Sequence, residues 1–274
     1  MDIICDLGKY KYRKTLATKR EYCLNQFNLT NNIKYKKTIF AKLIYKFKKK
    51  WIYHKGYNKE KTYKELVKHG IFSPEGYFEY YPFDKILFSK NITINGLFQA
   101  HKYFDEILPI LRNDFTLIPP QEIAKLLDKI TSEESICIHW RRGDYLSEQY
   151  KDSLLVCNDL YYNSTIAKIK EKIKNLVFYI FTNSANDALW IKHHHTFDIS
   201  VKYINLIIKE CHSDLDDFRL MCSCKHFIIS NSTFSWWAQY LSLSKNKIVV
   251  APSIWNKKQD AKELYFKEWE IILV

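Results

Sequence analysis

The sequence predicts an α/β protein of two domains, its main sheet parallel and covered by helices on both faces. Three observations lead there. Short β-branched or aromatic runs alternate with stretches of helical periodicity through the second half of the chain. Pro119-Pro120 separates that half from an aromatic-rich first part. The chain has 274 residues, 47% of them hydrophobic and 16% aromatic, enough to bury substantial cores. The expected division is residues 1–120 and residues 121–274.

Taken in order, Ile3-Ile4-Cys5 followed by Asp6-Leu7-Gly8 reads as a strand entering a turn. Lysine is dense between residues 34 and 62, and Phe40, Leu43, Ile44, Phe47 and Trp51 recur there at helical spacing. Two expectations stand for that helix. It either packs one face on the core and solvates the other, or lies as a basic amphipathic helix on anionic lipid. Beyond the prolines, Ile136-Cys137-Ile138 is the first strand, and Ile166, Ile169 and Ile173 mark a helix face. Val177 to Phe181 is the second strand, and Phe218 and Met221 sit on the next helix. Phe227-Ile228-Ile229 is the third strand. Phe234, Trp237, Ala238 and Leu241 mark a further helix face, and Ile248-Val249-Val250 is the last strand. Strands this apolar are buried on both faces, as in parallel sheets, where ligands bind at the carboxyl ends. His139 to Asp144 and Asn231 to Ser235 fall at such ends.

The formal charge of +13 calls for an anionic partner: nucleic acid, an acidic membrane surface or a phosphorylated substrate. Nucleic acid is not expected, because the aromatics are scattered through strands and helices and form no stacking platform beside the lysines. Seven cysteines, an odd number with no CxxC pair, read as reduced buried thiols and as neither disulfides nor a zinc site. Cys222 and Cys224 are poorly spaced for joint ligation, and His193-His194-His195 reads as a polar loop with no metal. The N-terminal apolar run is too short for a signal peptide, and no run reaches the ~18 residues of a membrane span. A cytoplasmic protein is expected, or one peripheral on the cytoplasmic membrane face through residues 34–62.

The chemistry concentrates in two segments. Arg141 and Arg142, just past a strand, offer planar forks that can grip a pyrophosphate; a structural ion pair, with Asp144 for instance, is the competing role. Downstream, Ser232 or Thr233 can cap the helix running into Trp236-Trp237, placing N–H groups and hydroxyls at its positive end. The tryptophans read as core, while Ser235 points more plausibly to a ligand. Asp217, ahead of Met221, can accept hydrogen bonds from a base or ribose, although a helix-start residue reads the same way.

The segment His139-Trp140-Arg141-Arg142-Gly143-Asp144-Tyr145 resembles an HxRRGDY motif. The stretch from Asp217 through Met221, Cys224-Lys225-His226 and Ser230 to Trp237 resembles DxxLMxxCKHxIIxNSxFSWW. Both are similar to the α-1,2-fucosyltransferases of glycosyltransferase family 11, with weaker similarity at Arg20 to Leu24, Gly96 to Phe104, Pro252, Trp255 and Trp269. The resemblance implies a GT-B-like fold, two Rossmann-like domains facing a cleft. It also implies transfer of L-fucose from GDP-β-L-fucose to the 2-hydroxyl of a terminal galactose in a glycan, with inversion and no metal or other cofactor. By the same motifs Arg141 would hold the β-phosphate, with Arg142 and Asp144 shaping the catalytic site. His139 and Asp217 would contact the guanosine end. Asn231, Ser232, Thr233 and Ser235 would complete the donor site, Ser235 holding phosphate together with neighbouring N–H groups. Asp144 is the first candidate for the acceptor proton and Glu148 the second. The family opens with a strand and a GGLGNQMFQYA-type loop and helix that this sequence lacks, so the first domain is expected without them. The family's Phe-Ser-Asp-Asp is here Phe181-Thr182-Asn183-Ser184. These departures leave an alternative expectation, a weak or inactive member that at most binds GDP-sugar.

Overall fold

The computed structural model describes residues 3–5, 26, 27, 29, 33–35, 39–74, 78–82, 93–116, 119–208 and 213–274. The expected turn at Asp6 to Gly8 and the motif stretch Arg20 to Leu24 lie outside them. The chain divides into two compact units, Met1–Phe115 with Lys262–Leu264, and Thr116–Ala261 with Tyr265–Val274.

In the first unit β1 (Ile3–Cys5) pairs in parallel with β2 (Ile33–Tyr35). Helix α1 (Ile39–Tyr53) precedes α2 (Lys59–Lys68), which starts where Asn58 accepts the Lys61 N–H at 2.9 Å. Strands β3 (Ile71–Phe72) and β4 (Thr93–Ile94) pair in parallel, and α3 (Leu108–Asp114) follows. Ile52, Leu66 and Ile71 form one small core; Tyr63 and Phe72 form another, with Phe98 stacked on Phe72. The apolar spacing of α1 misleads about which side is buried. Leu43, Phe47 and Trp51 are exposed, and the helix buries Ile52 instead.

The second unit begins with α4 (Gln121–Ser132), whose N-cap position is Pro120. Then come β5 (Glu134–His139), α5 (Lys151–Leu154), α6 (Asp159–Lys172), β6 (Leu176–Phe181) and α7 (Ala185–His194). They are followed by β7 (Ser200–Tyr203), α8 (Ile204–Ile207), α9 (Asp214–Ser223) and β8 (His226–Ile228). The unit closes with α10 (Thr233–Leu241), β9 (Val249–Pro252) and β10 (Glu270–Ile272). The six strands lie in the order β10-β9-β8-β5-β6-β7, all parallel. The chain starts at the centre, winds outward through β6 and β7, then returns to the other side of β5 and winds outward again. This is the doubly wound order of nucleotide-binding sheets, with its switch point between β5 and β8. The fold class is α/β, as expected.

Ile136, Ile138, Phe178, Ile180, Ile228 and Val250 line the strands beneath Tyr161, Tyr162, Ile166 and Ile169 of α6. Tyr161 takes its hydroxyl into this core because it can donate to the Ile229 carbonyl at 2.5 Å. Cys137, Cys157, Cys222 and Cys224 are free, and burial raises the thiol of Cys157 to about 12. His193 and His194 close α7, and His195 caps it, so the expected polar loop is corrected. The ring of His195 packs among aromatics, 4.6 Å from that of Trp140 and 5.8 Å from that of Trp190, so it is not an exposed polar residue. Of the face expected for helix α10, Ala238 and Leu241 are buried while Phe234 and Trp237 are half-buried, and Trp236 and Tyr240 are buried beside them. No helix among the described residues is long and apolar enough to cross a membrane.

Candidate active site

At the switch point the two motif segments leave adjacent strands and meet. His139 ends β5, and its Nδ1 lies 3.0 Å from the Ser230 hydroxyl just past β8. Six residues further along the first segment, the Tyr145 hydroxyl donates to the Asn231 carbonyl at 3.0 Å. These two bonds tie the arginine loop to the serine loop at the carboxyl ends of the central strands, where a parallel sheet binds its ligands.

The alternation of a strand explains how the first segment is laid out. Trp140 turns back into the unit and stacks on Tyr162 at 3.9 Å, while its N–H extends the β5–β6 ladder by donating to Phe181 O. The Tyr162 hydroxyl donates to His139 O at 3.1 Å and receives the Arg141 N–H at 3.2 Å, fixing where the loop departs. Past that anchor the guanidinium of Arg141 pairs with Asp144 at 2.7 Å across the turn, and lies 5.2 Å from the centre of the Tyr145 ring. Arg142 takes a different direction, stacking on Trp190 at 3.4 Å with its Nε 3.4 Å from the Asp187 carboxylate. Both side chains are mostly covered, at 16% and 18% exposure, so their charges act in a partly desolvated setting. Among the described residues, the Nε atoms of both arginines are buried without a hydrogen-bond partner.

Gly143 makes this turn possible. Its φ is +37°, and a Cβ built on it would come 2.6 Å from Cγ of Asn183. Asn183 belongs there, because its Oδ1 accepts the Arg142 N–H at 3.1 Å. The segment in which this sequence departs from the family's acidic pattern therefore buttresses the arginine loop. Gly143→Ala is expected to displace Asn183 and swing both guanidiniums, lowering activity at least tenfold with a stability loss of about 1–3 kcal/mol. Activity and a urea midpoint equal to the parent protein's would show that the turn tolerates the methyl group.

His139 is 3% exposed, and burial, aided by the Arg141 charge, lowers its pKa to about 3. The imidazole is therefore neutral at working pH and contributes a directional hydrogen bond without charge.

In the second segment Ser232 caps α10, its hydroxyl accepting the Phe234 N–H at 3.3 Å. Thr233 is the first helical residue and half-buried, so the helix's positive end opens between these two residues. Two expectations are corrected here. Asn231 is 3% exposed and donates both amide hydrogens inside the unit, to Leu154 O at 2.8 Å and Trp255 O at 2.9 Å. Its oxygen faces the Cys157 thiol, so its side chain pins three segments together and does not reach toward ligand. Ser235 is fully buried, and its hydroxyl donates to Ser232 O at 3.2 Å. In this loop Thr233 is the part-exposed residue, whereas Ser232 is 8% exposed and its own N–H donates to Ser230 O at 2.7 Å.

Asp217 lies in the first turn of α9, 8% exposed. Its neighbour Phe218 meets Phe234 at 5.3 Å, and Phe234 lies 6.0 Å from His139, so the start of α9 packs beside the site. Asp216, absent from the expected set, closes a capping box with Ser213 and binds Arg219 at 2.7 Å. Glu148 faces solvent, 87% exposed, and pairs with Lys151. The supports that sequence reasoning missed are Tyr162, Asn183, Asp187, Trp190 and Ser230. Only Ser230 carried a local signal, as part of the downstream motif; the others act from distant elements.

The family described as Glycosyl transferase family 11 matches residues 10–273. This chain belongs to that family. Among curated relatives of the family 11 chain, an Escherichia coli alpha-1,2-colitosyltransferase is 36% identical over 177 residues, 62% of this chain and 58% of the relative. The O-antigen biosynthesis glycosyltransferase WbnK of Escherichia coli is 28% identical over 176 residues, 63% of this chain and 56% of the relative. The chain thus covers less than two thirds of the length of the curated relatives it matches. Among solved structures, the fucosyltransferase NodZ from Bradyrhizobium is similar over 66% of this chain and 58% of its own, with 16% identity and a TM-score of 0.35. That likeness is too remote to bear on the site.

Proposed function

We propose that this protein is an inverting glycosyltransferase that moves L-fucose from GDP-β-L-fucose to the 2-hydroxyl of a terminal galactose in a glycan. Membership of family 11 supports glycosyl transfer, and the motif resemblance supports the donor and the linkage. The observation that carries the reading is the convergence, at the switch point between β5 and β8, of the loop that holds Arg141 and the loop that opens α10. One positive fork and one helix N-terminus there are suited to a diphosphate.

In this reading the donor's β-phosphate takes up the Arg141 fork, competing with Asp144 for it, and the start of α10 at Thr233 receives the neighbouring phosphate oxygens. As the bond from the sugar's anomeric carbon to the β-phosphate oxygen breaks, negative charge grows on the leaving GDP and positive charge on the sugar ring. A guanidinium already in place stabilises the first, by about 3 kcal/mol for a well-placed donor. The galactose 2-hydroxyl forms its bond to the opposite face of the anomeric carbon, which inverts that centre. Its proton passes to Asp144, freed as Arg141 turns to phosphate, or to solvent late in the step. Arg142, held by Trp190 and Asp187, keeps the loop in shape.

The test is to incubate purified protein with GDP-fucose, and in parallel with GDP-colitose, in the presence of galactose-terminated acceptors. Released GDP and an α-1,2-linked fucosylated product are expected. Transfer from GDP-colitose alone would overturn the fucose donor while keeping the diphosphate site. Calorimetry showing no binding of either donor or of GDP would overturn the site itself.

A further inference from the structure

We propose that α1 is a membrane-docking element of the first unit, seating it on an anionic lipid surface. The proposal stands apart from the transfer reaction. Leu43, Phe47 and Trp51 recur every four residues, and they are 45%, 72% and 54% exposed. Residues at that spacing lie on one face of a helix, so three large apolar side chains form one stripe facing solvent. Ile52, fully buried against Leu66 and Ile71, holds the opposite side to the unit. Apart from the edge contact of Trp51 with the His69 ring at 6.0 Å, the stripe is surplus to the fold, because the helix is already anchored through another face.

The charge around the stripe says what covers it. Five lysines and no acidic residue occur in the fifteen residues of α1. Lys48 and Lys49 turn toward the unit, donating to His69 O at 3.4 Å and to the Tyr45 hydroxyl at 3.2 Å. Lys46 and Lys50 remain exposed on one flank of the stripe. Lys55, just past the helix, lies 3.8 Å over the Trp51 ring on the other flank. A protein pocket would pair an apolar stripe with an apolar groove. A stripe bordered on both flanks by cations matches a surface apolar below and anionic above, which is the headgroup layer of a bilayer. Trp51 sits where an amphipathic ring prefers that boundary, and the overall charge of +13 attracts the molecule to it.

The experiment is sedimentation of the full chain with phosphatidylcholine vesicles, with and without phosphatidylglycerol, at low and high salt. Binding is expected to the anionic vesicles at low salt, and to fall by roughly tenfold when phosphatidylglycerol is omitted or salt is raised. The double variant Phe47→Ser/Trp51→Ser and the charge variant Lys46→Glu/Lys50→Glu should each weaken it by roughly tenfold or more. Because all four side chains are exposed, both variants should keep the parent circular dichroism spectrum and GDP binding. Equal binding by parent and variants, or no binding to anionic vesicles at low salt, would overturn the proposal. So would a dimer abolished by Phe47→Ser/Trp51→Ser without vesicle binding, which would assign the stripe to a second copy of the chain.

Discussion

Arg141→Ala is expected to lower sugar transfer by a hundredfold or more while the protein stays folded. The guanidinium stands in the loop where diphosphate charge would develop, and losing one preorganised donor costs about 3 kcal/mol of transition-state stabilisation. The fold should survive, because the side chain's ion pair is a local one, to Asp144 three residues on in the same loop. Arg141→Lys separates charge from geometry. It keeps the cation and loses the fork, so activity should fall by tenfold or more if two-point contact with phosphate matters. Steady-state rates with saturating donor, alongside a urea unfolding curve, decide the matter. Undiminished turnover in a folded Arg141→Ala protein would leave the Asp144 ion pair as that residue's whole role.

Asn231→Ala should behave in the opposite way, with stability falling by about 2–4 kcal/mol and donor affinity per folded molecule staying within about threefold. The side chain bridges the carbonyls of Leu154 and Trp255 inside the unit, and truncation leaves both without these donors. Each buried acceptor so stranded costs about 1–3 kcal/mol. Asn231→Asp should fare no better, since the carboxylate cannot donate to either carbonyl. The urea midpoint and the KM for donor separate the two roles. An unchanged midpoint with KM raised tenfold would restore Asn231 to ligand contact and undo the correction made from its geometry.

The contrast between these residues shows how far the sequence can be read. Ile136 to Ile138, Val177 to Phe181 and Ile248 to Val250 were legible as strands because burial on both faces demands uninterrupted apolar runs. The strands Ser200–Tyr203 and Glu270–Ile272 were not, since they are the two edges of the sheet and carry polar residues where one side meets solvent. Arg141 was legible as a candidate from its place directly after a strand, with an ion pair to Asp144 as the competing role. Its partners were not. Asn183, Trp190 and Tyr162 support the arginine loop from the turn after β6, from α7 and from α6, at separations that no local pattern encodes. The spacing of Leu43, Phe47 and Trp51 announced a helix but not its orientation, because the same periodicity serves a core or an exposed stripe.

Local chemistry, then, was written into the chain itself: where strands end, where guanidiniums cluster, and where a serine or threonine can begin a helix. These depend on the residue and its near neighbours. Direction was settled only by the packed sheet. The order of the strands brought residue 139 beside residue 230 and turned Asn231 inward, and packing within the first unit left the Leu43, Phe47 and Trp51 stripe of α1 exposed. Such choices depend on which distant carbonyl, ring or helix stands within reach, and that is a property of the assembled core.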